Sequence, residues 1–140
     1  MSDCVFCKIV AGQIPSTRVY EDAEVLAFMD IGQVNPGHVL VAVKRHAENL
    51  YALDEAQAAA IARASVRVAR AIREAFAPEG LSVYQANGKP AGQTVFHYHV
   101  HLVPRHEADG MQLTWPVKNP PREKLEECAA WIVERLRLQG

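Results

Sequence analysis

The sequence predicts a single α+β domain in which an antiparallel sheet packs against helices. The chain has 140 residues, 49% of them hydrophobic and 22% charged, which is enough apolar material for one core and excludes general disorder. Its candidate strands occur in hairpin-like runs around one long amphipathic segment. Because strands and helices do not alternate regularly, an antiparallel sheet is favoured over a doubly wound parallel sheet.

The first predicted element is a short helix over residues 3–12. Asp3 can cap its N-terminus, and Gly12 can end it in a left-handed conformation. Cys4 and Cys7 lie three residues apart, so they would share one face of this helix.

Five segments have the composition of β-strands and are bounded by turn residues. The strongest turn signal is Asn35-Pro36-Gly37, and a glycine-rich loop over residues 87–92 precedes the last strand. In chain order the predicted strands are residues 18–20, 25–29, 38–43, 81–86 and 95–104.

Two further helices are predicted, one between the third and fourth strands and one near the end of the chain. The first runs from Leu53 to Phe76, and Asp54 with Gln57 forms a capping box at its start. The second covers residues 121–138, and its apolar side is expected to be buried, so that Cys128 would be a small core residue. That side consists of Leu125, Cys128, Ala129, Ile132 and Leu136.

Charge and cysteine content exclude several classes of function. The net charge of −1 argues against a polyanion-binding surface over the whole protein, so no nucleic acid partner is expected. No apolar run approaches the ~18 residues that a membrane span needs. The three cysteines are an odd number, and the first residues show no basic and apolar export signal. We therefore expect a cytoplasmic protein without a disulfide framework.

The most distinctive feature is a set of three histidines, His97, His99 and His101, each separated from the next by one residue. Side chains two residues apart in a strand point to the same face, so all three imidazoles would line one side of the last strand. Packing alone rarely explains such an alternation. The set therefore predicts chemistry on that face.

Two kinds of chemistry fit this histidine set. Two histidines separated by one strand residue can both reach a single zinc ion, although the outer pair would lie about 13 Å apart at ~3.3 Å per residue. Alternatively, a neutral imidazole is a competent nucleophile at pH 7, and its neighbours can stabilise charge as imidazolium. The preceding residues Gly92-Gln93-Thr94 suit a phosphate, because they offer close backbone approach, an amide and a hydroxyl.

The cysteine pair Cys4-x-x-Cys7 has three interpretations: a redox dithiol, half of a metal site, or two small core residues. A thioredoxin-like redox site would follow a strand, and no strand precedes this pair. The redox interpretation is therefore disfavoured, while the other two remain open.

The segments around these residues resemble the histidine triad (HIT) family of nucleotidyl hydrolases and transferases. The His-x-His-x-His motif is followed by two apolar residues and preceded by Gly-Gln-Thr-Val-Phe over residues 92–96. Other family-like segments, in family order, are residues 5–9, 14–15, 20–22, 26–31 and 37–41. The chain looks like a bacterial form of the small branch that hydrolyses purine nucleoside phosphoramidates. The resemblance covers about residues 4–105 and implies one HIT domain over 1–140, with a five-stranded antiparallel sheet and a C-terminal extension, 106–140.

Carried over by position, the resemblance implies a covalent mechanism at the α-phosphate of the nucleotide. His99 would attack the phosphorus and form a nucleotidyl-histidine intermediate, while His101 and His38 bind phosphate oxygens or orient the nucleophile. The Thr94 hydroxyl would assist the leaving group, and no metal would be needed for the chemistry. The implied phosphate contacts are Asn87, Gln93 and Thr94.

The resemblance also implies where the nucleoside binds and where a metal is held. Asp30 would accept hydrogen bonds from the ribose hydroxyls, and a homodimer would form through adjoining strands and the long helix. The slot for a purine base would be lined by Val5, Phe6, Ile9, Phe28 and Ile31. Some bacterial relatives hold zinc with such a cysteine pair, and the ligands here would be Cys4, Cys7, His46 and His97. Two thiolates and two imidazoles form a closed set, which is typical of structural zinc.

Three other functions remain open at this point. A dinucleoside polyphosphate hydrolase would use the same mechanism with a different leaving group. A zinc hydrolase would use the triad as metal ligands, and a nucleotide-binding module would show no significant turnover. Family members that cleave phosphoramidates often end in His-Trp-Pro-Pro-Gly, whereas this chain keeps only Trp115-Pro116, so its leaving group is not determined.

Overall fold

A five-stranded antiparallel sheet organises the structure, a computed structural model that describes residues 3–140. The strands are β1 (Arg18–Glu21), β2 (Val25–Met29), β3 (Val39–Val43), β4 (Gly80–Tyr84) and β5 (His99–Arg105), in the spatial order β1-β2-β3-β5-β4. The helices are α1 (Val5–Val10), α2 (Glu55–Phe76) and α3 (Arg122–Gln139), with 3₁₀ turns at Leu50–Ala52 and Lys89–Ala91. All neighbouring strands pair antiparallel, which confirms the predicted fold class.

Side chains alternate between two differently covered faces of the sheet. One face packs against α2, the long amphipathic helix, and the other packs against the short helix α1. Ala42 pairs with His99 and Leu40 with His101, so both histidines lie on the face that α1 covers. The α2 face buries Val25, Ala27, Val39, Val41, Val43, Val100 and Leu102. The α1 face buries Phe6, Ile9, Leu26, Phe28, Leu40 and Ala42.

Helix α2 begins at Glu55, two residues after the predicted start at Leu53, and ends at the predicted Phe76. Both hydrogen bonds of the capping box between Asp54 and Gln57 are present. At the other end, the ring of Phe76 packs against Gly37, which has a φ of +100°, and a Cβ added there would lie 2.8 Å from the ring. The turn before β3 therefore requires glycine for both its backbone conformation and this close approach.

Two differences from the predicted boundaries affect the cysteine pair and the histidines. The N-cap of α1 is Cys4 rather than Asp3, because the Cys4 sulfur accepts a hydrogen bond from the Cys7 backbone N–H at 3.4 Å. The last strand begins at His99 rather than at residue 95, so His97 lies in a bend outside the strand. The prediction that three imidazoles line one strand face is therefore wrong for His97.

The predicted burial of the C-terminal helix is also wrong. No residue of α3 is buried, and Cys128 is only half-buried. The helix follows a stretch without regular structure over residues 111–121, and all of its residues except Cys128 are exposed. Sequence periodicity establishes an apolar side but not what covers it. Among the described residues, no helix combines the length and the hydropathy that crossing a membrane requires.

Candidate active site and metal centre

A cleft of about 390 Å³ lies between α1 and the sheet. Apolar side chains line one part of it, and Asp30, Thr94, His99 and His101 line the other. The volume is that of a small-molecule site with a few convergent polar groups. All five residues predicted for the base slot are among the lining residues: Val5, Phe6, Ile9, Phe28 and Ile31.

Phe6 connects the apolar part of the cleft to the histidines. Its ring makes edge-on contacts with Phe28, at 5.3 Å between centroids, and with His99, at 4.9 Å. The position of α1 therefore determines both the width of the apolar slot and the packing beside His99.

Hydrogen bonding determines which ring nitrogen of His99 carries the proton and which has an available lone pair. Its Nδ1 lies 2.6 Å from the backbone carbonyl oxygen of His97. A carbonyl can only accept, so Nδ1 carries the proton and donates it. The Nε2 lone pair is then available for attack on an electrophile.

The same reasoning assigns the protons of His38 and His101. The Val34 backbone N–H donates to His38 Nδ1 at 3.2 Å, so the proton of neutral His38 is on Nε2. His38 Nε2 lies 2.9 Å from His101 Nδ1 and 3.3 Å from Asp30 Oδ2. Since His38 donates, His101 Nδ1 accepts and His101 carries its own proton on Nε2.

Burial keeps these imidazoles neutral. It lowers the pKa of His38 and of His99 below the ordinary value of 6.5. Burial lowers the pKa of His101 to about 4, and the neighbouring His99 and His38 contribute in the same direction. At neutral pH the three rings therefore carry the lone pairs and protons described above.

The loop before β5 is held by two side-chain amides, the buried Gln93 and the half-buried Asn87. Gln93 Nε2 donates to the carbonyls of Glu48 and Val95, and its Oε1 accepts from the Gly88 N–H. Asn87 Oδ1 accepts from the Leu50 N–H at 2.7 Å. Both side chains thus hold the loop in this structure, and their predicted contacts with phosphate stay predictions.

A recess opens between this loop and the histidines, lined by Gly92, Gln93, Thr94, His99, His101, Tyr84 and Ala86. It shares Thr94, His99 and His101 with the larger cleft. Sequence reasoning did not find Tyr84, whose ring lies 5.6 Å from that of His101. The register of β4 against β5, which pairs Tyr84 with His101, is the signal that reveals it.

Four side chains on the other side of α1 form a compact cluster. Cys4, Cys7, His46 and His97 bring one sulfur or nitrogen each to within 4.8 Å of one another. The sulfur–nitrogen distances are 3.3, 3.4 and 3.6 Å, and His46 Nδ1 lies 3.2 Å from His97 Nδ1. A tetrahedral zinc site requires about 3.6 Å between sulfur and nitrogen and about 3.3 Å between two nitrogens. The cluster could therefore hold a metal ion.

The protons and charges of the cluster agree with this fit. His97 Nε2 donates to the Val43 carbonyl at 2.6 Å, which leaves the Nδ1 lone pair facing the cysteines. Burial, reinforced by the neighbouring Cys4, raises the pKa of the Cys7 thiol to about 11. Two adjacent thiolates are unfavourable alone, and a divalent cation between them would reverse that effect.

Asp30, His38 and His101 form a second group with metal-like spacing. It fits a metal less well, because the Val34 N–H occupies His38 Nδ1 and places a proton on the nitrogen that faces the group. The backbone thus distinguishes two histidine clusters that the sequence alone does not.

Comparison with known proteins agrees with this geometry. A family model described as "HIT domain" matches residues 11–108. A crystal structure of a HIT family member from Bacillus subtilis superimposes with a TM-score of 0.91 at 46% identity, over 95% of this chain and 96% of that one. The adenosine 5'-monophosphoramidase of Schizosaccharomyces pombe is 40% identical over 135 residues, 96% of this chain and 98% of that protein. A zinc-bound histidine triad family protein from Mycobacterium smegmatis has a TM-score of 0.75 and 35% identity over 99% of both chains.

Proposed function

Since the chain belongs to the histidine triad (HIT) family, we propose that it is a hydrolase or transferase that acts at the α-phosphate of nucleoside phosphoramidates or related nucleotides. The observation that carries the proposal is the free Nε2 lone pair of His99. The hydrogen bond from His99 Nδ1 to the His97 carbonyl fixes the orientation of the ring. The ring lies between the apolar cleft and the small polar recess. The similarity to an adenosine 5'-monophosphoramidase supports the substrate class.

The proposed reaction has two steps at one phosphorus atom. His99 Nε2 attacks the α-phosphorus, the bond to the leaving amine breaks, and a nucleotidyl-His99 intermediate forms. The leaving amine takes up a proton with the assistance of the Thr94 hydroxyl. Water then attacks the same phosphorus and gives up a proton, which replaces the one that the amine took up. The bond to His99 breaks, which releases a nucleoside monophosphate and regenerates the neutral imidazole.

Neighbouring groups stabilise the charge that develops in each step. The His97 carbonyl accepts from His99 Nδ1, so it stabilises the imidazole as that ring becomes positive. His101, with its proton on Nε2, donates to a phosphate oxygen, and His38 holds that tautomer through its own Nε2 proton. We place Asn87 and Gln93 beside the phosphate as well, where they hold the loop that carries Thr94.

The nucleoside occupies the cleft under α1. The purine base lies between the apolar side chains of α1 and β2, and Asp30 accepts hydrogen bonds from the ribose hydroxyls. Asp30 Oδ1 already accepts from the Gly32 N–H at 2.8 Å, which orients the carboxylate toward the cleft. The oxygens retain further lone pairs for ribose.

We further propose that the four-ligand cluster holds structural zinc. Its distances fit a tetrahedral ion, and a similar HIT protein is zinc-bound. When bound, zinc would supply charge neutralisation for the two thiolates and a fixed link between α1, His46 and His97. The closed ligand set leaves no position for substrate, so the ion takes no part in turnover.

A homodimer in the cytoplasm completes the proposal. Strand β4 forms one edge of the sheet and presents Val83, 64% of whose surface is exposed, on that edge. Such an edge can pair with a second copy. Light scattering coupled to gel filtration tests this, and a monomer at all concentrations would contradict it.

A turnover screen tests the proposed function. Adenosine phosphoramidates and diadenosine polyphosphates are compared with and without a chelator, using the wild type and His99→Gly. We expect phosphoramidate turnover by the folded wild type, a nucleotidyl-protein adduct detectable by mass spectrometry, and neither in the variant. Immediate loss of activity in folded, chelated protein would indicate a zinc hydrolase. Binding without turnover in both proteins would indicate a nucleotide-binding module.

A further inference from the structure

We propose that Gln33 is a positioning residue that fixes the tautomer of His38 and, through it, the proton on His101 Nε2. The catalytic consequence rests on the proposed function, whereas the tautomer itself does not. Gln33 lies in the loop between β2 and β3, which joins Asp30 to His38. The sequence motifs and the proposed mechanism assign it no role.

One carboxamide closes this loop. Gln33 Oε1 accepts from the backbone N–H groups of Gly37, at 3.0 Å, and His38, at 3.1 Å. Its Nε2 donates to the His38 carbonyl at 2.7 Å and also to the Asp30 carbonyl. The Asp30 N–H also donates directly to the His38 carbonyl at 3.1 Å, so Gln33 reinforces a fixed relation between the backbones of Asp30 and His38.

That relation determines what faces each nitrogen of the His38 ring. At Nδ1 the Val34 N–H donates, and this amide follows Gln33 directly in the chain. At Nε2 the carboxylate of Asp30 lies 3.3 Å away and His101 Nδ1 lies 2.9 Å away. A donor at Nδ1 and acceptors at Nε2 both favour a proton on Nε2.

The opposite tautomer would disturb the proposed active site. A proton on His38 Nδ1 would face the Val34 N–H, and the Nε2 lone pair would face the Asp30 carboxylate. His101 would then carry its proton on Nδ1 to satisfy His38, and its Nε2 would have none to donate to phosphate. The tautomer of His38 thus sets the donor that the substrate meets.

Asn35 also stabilises this loop through side-chain hydrogen bonds, and it provides a matched control. Asn35 Nδ2 donates to the Pro104 carbonyl at 2.8 Å and to Asp109 Oδ2 at 2.9 Å, which fastens the loop to the end of β5. These bonds stabilise the loop but do not reach the His38 ring. Asn35→Ala therefore removes hydrogen bonds from the loop without removing those that orient Val34 and Asp30.

The test measures imidazole ¹⁵N chemical shifts, which distinguish the two tautomers, in the wild type, Gln33→Ala, Gln33→Glu and Asn35→Ala. The His38 signals are assigned from a His38→Asn spectrum. Gln33→Glu keeps the acceptors for Gly37 and His38 but cannot donate to the two carbonyls. We expect a pure Nε2–H tautomer in the wild type and in Asn35→Ala, and a mixture in both Gln33 variants.

Kinetics provide the second readout. Losing hydrogen bonds of ordinary strength should lower kcat about three- to tenfold in the Gln33 variants, with KM within about twofold of the wild type. A pure Nε2–H tautomer in both Gln33 variants, or an equal mixture in Asn35→Ala, would overturn the proposal. A wild type with a fixed tautomer but no turnover would contradict the proposed function and still support the role of Gln33.

Discussion

Replacing both cysteines of the four-ligand cluster, as Cys4→Ser with Cys7→Ser, should abolish metal binding and release α1 from the sheet. Helix α1 has only six residues, and an isolated helix of that length is not stable in water. Cys4 is its N-cap and Cys7 lies in its first turn, so a metal shared with His46 and His97 would fasten this helix to the body of the domain.

The size of the effect follows from what α1 buries. Phe6 and Ile9 are 7% and 8% exposed, and each such side chain contributes about 1.5–3 kcal/mol when buried. Losing both contacts would lower the free energy of unfolding by at most about 3–6 kcal/mol. An unfolding entropy of about 2.1 cal/mol/K per residue gives about 0.3 kcal/mol/K for this chain, so Tm should fall by at most about 10–20 °C.

Elemental analysis and thermal unfolding followed by circular dichroism measure the two consequences. The wild type should contain one zinc per chain and the double variant none, and a chelator should lower the wild-type Tm toward that of the variant. Cys128→Ser is the matched control, since this cysteine lies on α3, and it should retain both zinc and Tm. Equal metal content in all three proteins, or a Tm that a chelator does not change, would refute the reasoning.

Three further predictions concern His99, Asp30 and His101. His99→Gly should lower kcat at least about a thousandfold while nucleotide binding, measured by calorimetry, persists; full activity would exclude the covalent mechanism. Asp30→Ala should raise KM about ten- to hundredfold for ribonucleotides, more than it lowers kcat, because ribose contacts act equally in the ground and transition states. A 2′,3′-dideoxy substrate that is equally impaired would contradict this role. The pKa of His101 is lowered to about 4 in the folded protein. Between pH 4 and 6.5 the folded protein therefore binds fewer protons than the unfolded chain, so its stability should fall as the pH decreases through that range. Denaturant unfolding should show a smaller pH dependence for His101→Asn, and identical slopes would refute the assignment.

Much of the fold could be predicted because its signals are local. The continuous apolar runs of β2 and β3, the capping box at Asp54 and the Asn35-Pro36-Gly37 turn each specify their own conformation. The candidate base-slot residues were identified by resemblance and not by periodicity, which does not distinguish a cleft wall from a core. The structure places them around one cleft.

Two features depended on how distant segments pack, or fail to pack, against each other. His97 leaves the strand because its ring donates to the Val43 carbonyl and faces Cys4 and Cys7, which lie about 90 residues earlier. The alternation of residues alone predicts that His97 lies in the strand, on the same face as His99. Helix α3 has a clear apolar side, yet the described chain offers no surface that covers it.

The sequence by itself determined which residue types occur at which spacing: three alternating histidines, a cysteine pair and a set of amphipathic elements. It did not determine which nitrogen of each histidine carries a proton. That choice is made by backbone groups without a side-chain signature, the carbonyls of His97 and Val43 and the N–H of Val34. The folded backbone brings these groups to the rings, from two and four residues away for His99 and His38 and from 54 residues away for His97. An imidazole becomes a nucleophile, a donor or a metal ligand according to the partner that its other nitrogen meets.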